Sequence, residues 1–262
     1  MEVHKHPHQV LHKKKLTEYT LEFLMLFLAV TLGFFAENMR EQYVEHKRAK
    51  EFAKLLVADL KADTIELNKA QKVWKNIVAA SDSLAWLLNE NSNRIQGGKL
   101  YYYEYWSGWK WSVISHDATL QQLKNSGAMR YMGDASLIRS ILDYEEAIKV
   151  IYLLQNKYEP EKIENWNLVQ KVFDQSYFDT LEAIKGTARD STNILSTNNP
   201  SLNAFLETNY PLHTYDKTVL FELRNWAYNT SRNYRILVRD IYYSKQKAFE
   251  AIKALKKEYD LE

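Results

Sequence analysis

Glu22 stands at the head of an apolar run, "LEFLMLFLAVTLGFFAE", residues 21–37. An acid inside a membrane span can carry protons or tie helices together. Glu22 also lies one turn from Glu18 and two from Lys15, and at headgroup level it would mark the interface, which is the favoured reading. The tail "HKHPHQVLH" alternates His4, His6 and His8 and ends in His12. Imidazoles so spaced bind zinc, copper or nickel. With no cysteine and only Glu2 nearby, adventitious metal binding is expected, with no resident metal or cofactor. His116–Asp117 has the types of a base and its orienting acid. No nucleophile motif accompanies the pair, so helix capping is expected. Asp59 and Asp63, at i and i+4, share a helix face that could hold a cation. Beside Lys54, Lys61 and Lys69 they are expected to be surface ion pairs.

The densest feature is "YYYEYWSGWKW", Tyr101 to Trp111, with seven aromatics in eleven residues. Tyr and Trp give large contact area at low entropic cost, so the segment could stack sugars or dock a partner. Alternation from Tyr101 to Tyr105 also suits a short strand or a buried loop plugging the end of a bundle. Tyr103, Tyr105, Trp106, Trp109 and Trp111 are the candidate contacts for an envelope protein or a glycan. Gly97, Gly98 and Gly108 give the segment freedom that helices lack. The expectation is an outward-facing loop at the membrane-distal tip.

Glycine and proline are scarce, 7 and 4 in 262 residues, so long helices must position these groups. No glycine or proline lies between Phe34 and Gln96. Apolar residues recur there at 3–4 spacing: Leu60, Leu67, Ala70, Trp74, Ile77, Leu84 and Leu88, interrupted by Asp63 and Ser81. Gly97 and Gly98 would stop this helix. A short helix is expected before Gly127, a long one after Asp134 that Pro160 kinks or interrupts, and helical pattern again from about Lys162 to Thr187. "RDSTNILSTNNPSLN" reads as loop with a short helix after Pro200. Asp216 to about Tyr259 carries a second seam, Leu223, Ala227, Thr230, Tyr234, Leu237, Ile241, Ala248, Ile252 and Leu255. The fold class expected is all-α: residues 1–15 a basic tail, 16–37 a transmembrane helix, 38–96 a stalk helix, and 97–262 an antiparallel helical-bundle ectodomain packing on the stalk.

The span reading rests on length and flanks. Phe23 to Ala36 is only about 14 residues, but Leu16 to Ala36 makes roughly 31 Å of helix, near the thickness of a hydrocarbon core. Lys13, Lys14 and Lys15 precede it and can snorkel to headgroups. Phe34 stands where a signal-peptide cleavage site before Glu37 needs a small residue, so an uncleaved signal anchor is expected. The Lys13–Lys15 cluster outweighs Arg40, Lys47, Arg48 and Lys50 by a small margin. That places a short N-terminus in the cytoplasm and the C-terminal domain in the periplasm of a bacterial inner membrane. Gly33 and Ala36, with Ala29, make a small-residue face on which spans approach, pointing to a homo-oligomer. A net charge of +2 and the lack of a basic stripe argue against nucleic acid as a partner.

Three stretches resemble a family of single-span bacterial membrane proteins known as a domain of unknown function. One is the span itself, with Glu22 opening the apolar run and Asn38–x–x–Glu41 closing it. The second is "LLVADLKADTIELN", with its acidic pair Asp59 and Asp63. The third is "ATLQQLKNSGAMRYMGDASLIRSILDYEEAI". The likeness covers about the first 155 residues; Met39 stands where such proteins often carry a tryptophan. It implies the architecture and no activity. The functional expectation is a membrane-anchored, non-enzymatic scaffold that self-associates through span and stalk. The alternatives are a ligand- or carbohydrate-sensing ectodomain and an ion-coupled accessory subunit using Glu22.

Overall fold

The computed structural model describes residues 15–89, 96–185 and 199–261; His4, His6, His8 and His12 lie outside them. All regular structure among the described residues is helical. In chain order it comprises α1 (Leu16–Leu87), α2 (Gly97–Ser107), α3 (Ala118–Asn125), a 3-10 turn (Ala128–Tyr131), α4 (Ala135–Val172), α5 (Gln175–Lys185), α6 (Pro200–Glu207) and α7 (Lys217–Tyr259). The chain divides into two compact units, Met1–Glu51 and Phe52–Glu262.

In the first unit α1 starts where the Glu18 carboxylate accepts the Lys15 backbone N–H at 3.2 Å. The helix is long and apolar enough to cross a membrane, and none of its most apolar stretch is buried within the structure. Phe23, Phe27, Leu32 and Phe34 all stand exposed. The hydroxyls of Thr20 and Thr31 donate to the carbonyls of Leu16 and Phe27, at 2.9 and 2.7 Å. They therefore present no unsatisfied polar atom to an apolar surround. Arg40 closes on Glu37 through both Nε and Nη2, at 2.9 and 2.5 Å.

In the second unit the α1 seam is continuous. Leu60, Asp63, Leu67, Ala70, Trp74, Ile77, Ser81 and Leu84 are all buried, so the two polar "interruptions" lie on the core face itself. Here α7 runs antiparallel to α1: Lys245 reaches Gln71 at 3.3 Å, Ser231 and Arg235 reach Asp82 at 2.6 and 2.5 Å, and Arg224 reaches Asn89 at 2.7 Å. Against α4, α7 is antiparallel too, with Lys247 3.7 Å from Asp143 and the Tyr259 hydroxyl on the Tyr131 carbonyl. Consequently α1 and α4 share a direction, and the stretch from α2 through the 3-10 turn carries the chain back between them.

Several boundaries differ from the sequence reading. The stalk helix stops at Leu87 rather than running to 96. Gly97 and Gly98 do not end a helix; they open α2. A Cβ on Gly97 would overlap the Tyr210 carbonyl, and one on Gly98 the Phe205 carbonyl. That close approach lets the two orphan N–H groups of α2 donate to Asn209 Oδ1 and the Thr208 carbonyl, at 3.0 and 2.9 Å. Pro160 leaves α4 uninterrupted. Residues 156, 157, 159 and 160 are exposed, so the carbonyl that proline deprives of its partner can turn to water. The break falls instead at Phe173–Asp174, where tertiary contacts take over. His213 donates to the Val172 carbonyl at 2.8 Å, and Asp174 N–H donates to the Tyr101 hydroxyl at 2.9 Å. Asp134 caps α4 as expected, accepting from Leu137 N, and Asp216, where the last element is expected to begin, caps α7 by accepting from Thr218 and Val219 N.

Candidate functional site: an aromatic cleft over a buried carboxyl

The aromatic segment is helical from Tyr101 to Ser107 and not a strand, with Gly108 to Trp111 following as irregular chain, and that changes which side chains face together. On a 3.6-residue period Glu104 falls one turn after Tyr101, on the buried side of α2. Tyr101, Tyr102 and Trp106 are buried, Trp106 at 4% exposure. The Tyr101 ring stacks edge-on against Phe173, Tyr177 and Phe178 at 4.9, 5.2 and 5.2 Å, while its hydroxyl donates to the Pro211 carbonyl at 2.9 Å. Trp106, expected to face outward, is core.

The other four candidates separate. Tyr105 and Trp109 line a cleft of about 600 Å³ bounded by α2, α4, α5 and α7. Tyr103 borders a shallower depression with Trp86 and Lys99. Trp111 lines a small pocket beside Trp74, whose indole N–H donates to the Trp111 carbonyl at 3.1 Å. Glu22, Gly33 and Ala36 lie on the exposed helix of the first unit, and a Cβ on Gly33 would meet nothing within 4 Å.

Across the cleft from Tyr105 and Trp109 stand Trp166 of α4, Phe178 of α5, and Trp226 and Tyr234 of α7. Glu104 and Asn165 form its polar floor, 4% and 6% exposed. Asn165 Nδ2 donates to Glu104 Oε1 at 3.2 Å. Burial pushes the Glu104 carboxyl up to about 7, and the Asn165 hydrogen bond offsets this only in part. The amide lies with Nδ2 toward Glu104 and Oδ1 away, the orientation an ionised, accept-only carboxylate requires. That Oδ1 is buried and finds no partner, and neither does the indole N–H of Trp109. At the mouth, Lys110 is held by Glu159 at 2.5 Å, and the Tyr105 hydroxyl donates to Glu182 at 3.2 Å. Burial, then the Glu182 charge, pushes Tyr105 up to about 12.

A second polar cluster gathers residues that the sequence treats separately. Asp63 is 3% exposed and no surface ion pair. Its Oδ1 accepts from the His116 backbone N–H at 2.7 Å and faces His116 Nδ1 at 2.8 Å; its Oδ2 accepts the Tyr144 hydroxyl at 2.5 Å. Burial and the Asp63 charge drive the Tyr144 phenol well above its ordinary range. His116 thus pairs with Asp63 of α1 rather than with the adjacent Asp117, which makes no side-chain cap bond to α3. Ser115 is occupied as well: its N–H donates to the Tyr152 hydroxyl, which donates to its Oγ, both at 2.8 Å. Both oxygens of Asp63 are engaged, tying His116 and α4 to α1, while Tyr152 ties the Ser115 backbone to α4. Among the described residues no three His, Asp or Glu side chains group to hold a metal.

Glu104 and Asn165 were not legible as site residues, because alternation along Tyr101–Tyr105 hides the helical period. No family model matches the chain, and no curated protein or solved structure is similar to it.

Proposed function

We propose that this is a membrane-anchored, non-enzymatic binding protein whose aromatic cleft takes a small ligand. The observation that carries the reading is a 600 Å³ cleft walled by rings and floored by buried polar atoms that lack partners. The apolar, unburied Leu16–Ala36 stretch supports anchoring in a lipid bilayer, and the lysines before it support a cytoplasmic N-terminus with the second unit in the periplasm. The antiparallel α1–α7 and α4–α7 contacts support a helical bundle. The open face at Gly33 supports a homo-oligomer formed through the span. Membership of the single-span family resembled by the first 155 residues belongs to this proposal. Ligand recognition takes precedence over a bare scaffold because a scaffold gains nothing from an acid buried without a cation.

The test is a thermal-shift screen of the full chain in mild-detergent micelles against amines, sugars and nucleosides. At least one class is expected to raise the melting temperature, and Trp109→Ala is expected to abolish that rise while leaving helix content unchanged. Stabilisation that survives Trp109→Ala, or no stabilisation by any class, would remove the cleft as the functional site.

A further inference from the structure

We propose that the cleft binds a protonated primary amine carried on a flat or apolar body, its ammonium group seated on the Glu104 carboxylate beside the Asn165 amide at the cleft floor. The inference rests on the cleft being a ligand site and names the ligand's chemistry.

The floor is short of one kind of group. Glu104 has Asn165 as its hydrogen-bond partner and, among the described residues, no lysine, arginine or histidine paired with it. Buried carboxylates are ordinarily paired, because desolvation penalises the bare charge. Asn165 spends its donor on Glu104 and leaves Oδ1 buried and unmet. The cleft floor therefore holds two acceptors, a single donor already spent between them, and, among the described residues, no positive charge beside the carboxyl. A hydroxyl brings a proton but no charge, and a quaternary ammonium brings charge but no donor. A primary ammonium brings both, with three N–H donors.

The walls agree. Trp109, Trp166, Trp226, Tyr105 and Tyr234 line the same space, and aromatic faces attract cations, tryptophan most strongly. They also offer stacking surface to the body that carries the amine. The rim carries Asp179 and Glu182, and the one cation among its described residues, Lys110, is already held by Glu159. The local field thus favours an incoming positive charge.

Binding is coupled to a proton. An alkylammonium with a lysine-like pKa of about 10 stays charged near neutrality. Glu104, raised to about 7 by burial, is partly protonated there. When the amine enters, the carboxyl proton leaves to solvent and the N–H donors replace it, so charge and protons balance. Among the described residues the other titratable groups facing the cleft are Lys110, Asp179, Glu182, Tyr105, Tyr158 and Tyr234. Tyr105 and Tyr234 are both pushed up to about 12 by burial, so neither phenol titrates near neutrality.

Isothermal titration of the full chain in detergent micelles tests this with four probes: phenethylamine, its neutral isostere 2-phenylethanol, tetramethylammonium and N-acetylglucosamine. Phenethylamine is expected to bind about tenfold or more tighter than the other three, consistent with loss of a buried charge-assisted contact. Its affinity should rise with pH through about 7, with proton release into the buffer. Glu104→Gln should weaken it about tenfold or more and flatten the pH profile. The pH profile of the unaltered chain needs no variant, so the test survives any defect in folding. If 2-phenylethanol, tetramethylammonium or the sugar binds as well as phenethylamine, and Trp109→Ala abolishes that binding, the amine assignment falls and the cleft stands. If no probe binds, the amine assignment falls with the cleft reading.

Discussion

Asp63→Ala should cost about 3–5 kcal/mol of stability, the largest loss expected from any single substitution here. The carboxylate sits in the core face of α1 and accepts three donors: the His116 N–H, the His116 ring and the Tyr144 hydroxyl. Alanine removes all three acceptances at once and leaves the Tyr144 hydroxyl buried without a partner, since Tyr144 is 5% exposed. Tyr144→Phe removes one bond and no charge, so its cost should be about 1.5–3 kcal/mol, that of a hydrogen bond to a charged group. Urea unfolding followed by circular dichroism measures both. Costs below about 1 kcal/mol for Asp63→Ala would mean that the cluster is surface decoration, as the lysine-rich setting of Asp63 suggests to the eye.

Glu104→Gln should move stability the other way. Folding raises the Glu104 carboxyl from an ordinary 4.5 to about 7, so between those values the folded chain holds a proton that the unfolded chain has released. Stability from this group is then fully present below about pH 4.5, and it is lost as pH rises through about 7. Glutamine cannot ionise, yet it keeps an oxygen to accept from Asn165. Above neutrality the variant should exceed the parent by about 3 kcal/mol, the displacement of the carboxyl converted at 1.36 kcal/mol per pH unit. Below about pH 4.5 the two should coincide. Melting temperatures across pH 4–9 decide it. A variant less stable than its parent at pH 8 would show that the charged carboxylate has a partner in the folded chain. Gained stability with lost binding is the mark of a residue kept for a ligand rather than for the fold.

The long helices were legible because scarce glycine and proline leave few places to break, and because the 3–4 spacing of α1 and α7 holds over many turns. Caps at Asp134 and Asp216 and the left-handed Gly127 were legible for local reasons: each acts within a few residues of itself. What escaped depends on contacts distant in sequence. α2 carries Tyr and Trp, which by propensity favour strands, and becomes helical because Gly97 and Gly98 dock on residues 205–210. Glu104 could be placed only once that helix was known. Asp63 looked solvated because lysines flank it, but its own position continues the apolar seam at the spacing of Leu60 and Leu67. Read as a core position, it would have demanded a partner. Pro160 does not break α4, since a proline on an exposed helical face costs one hydrogen bond that water can replace.

The most direct measurement of amine recognition in the cleft is a phenethylamine titration followed by the indole N–H signals of the 7 tryptophans. Three of them, Trp109, Trp166 and Trp226, line the cleft, whereas Trp86 lies in a separate depression and Trp74 in the core. Expected are saturable shifts of the three cleft signals, lost in Glu104→Gln, with those of Trp74 and Trp86 unmoved. Shifts centred on Trp86, or cleft signals that stay still at millimolar phenethylamine, would contradict it.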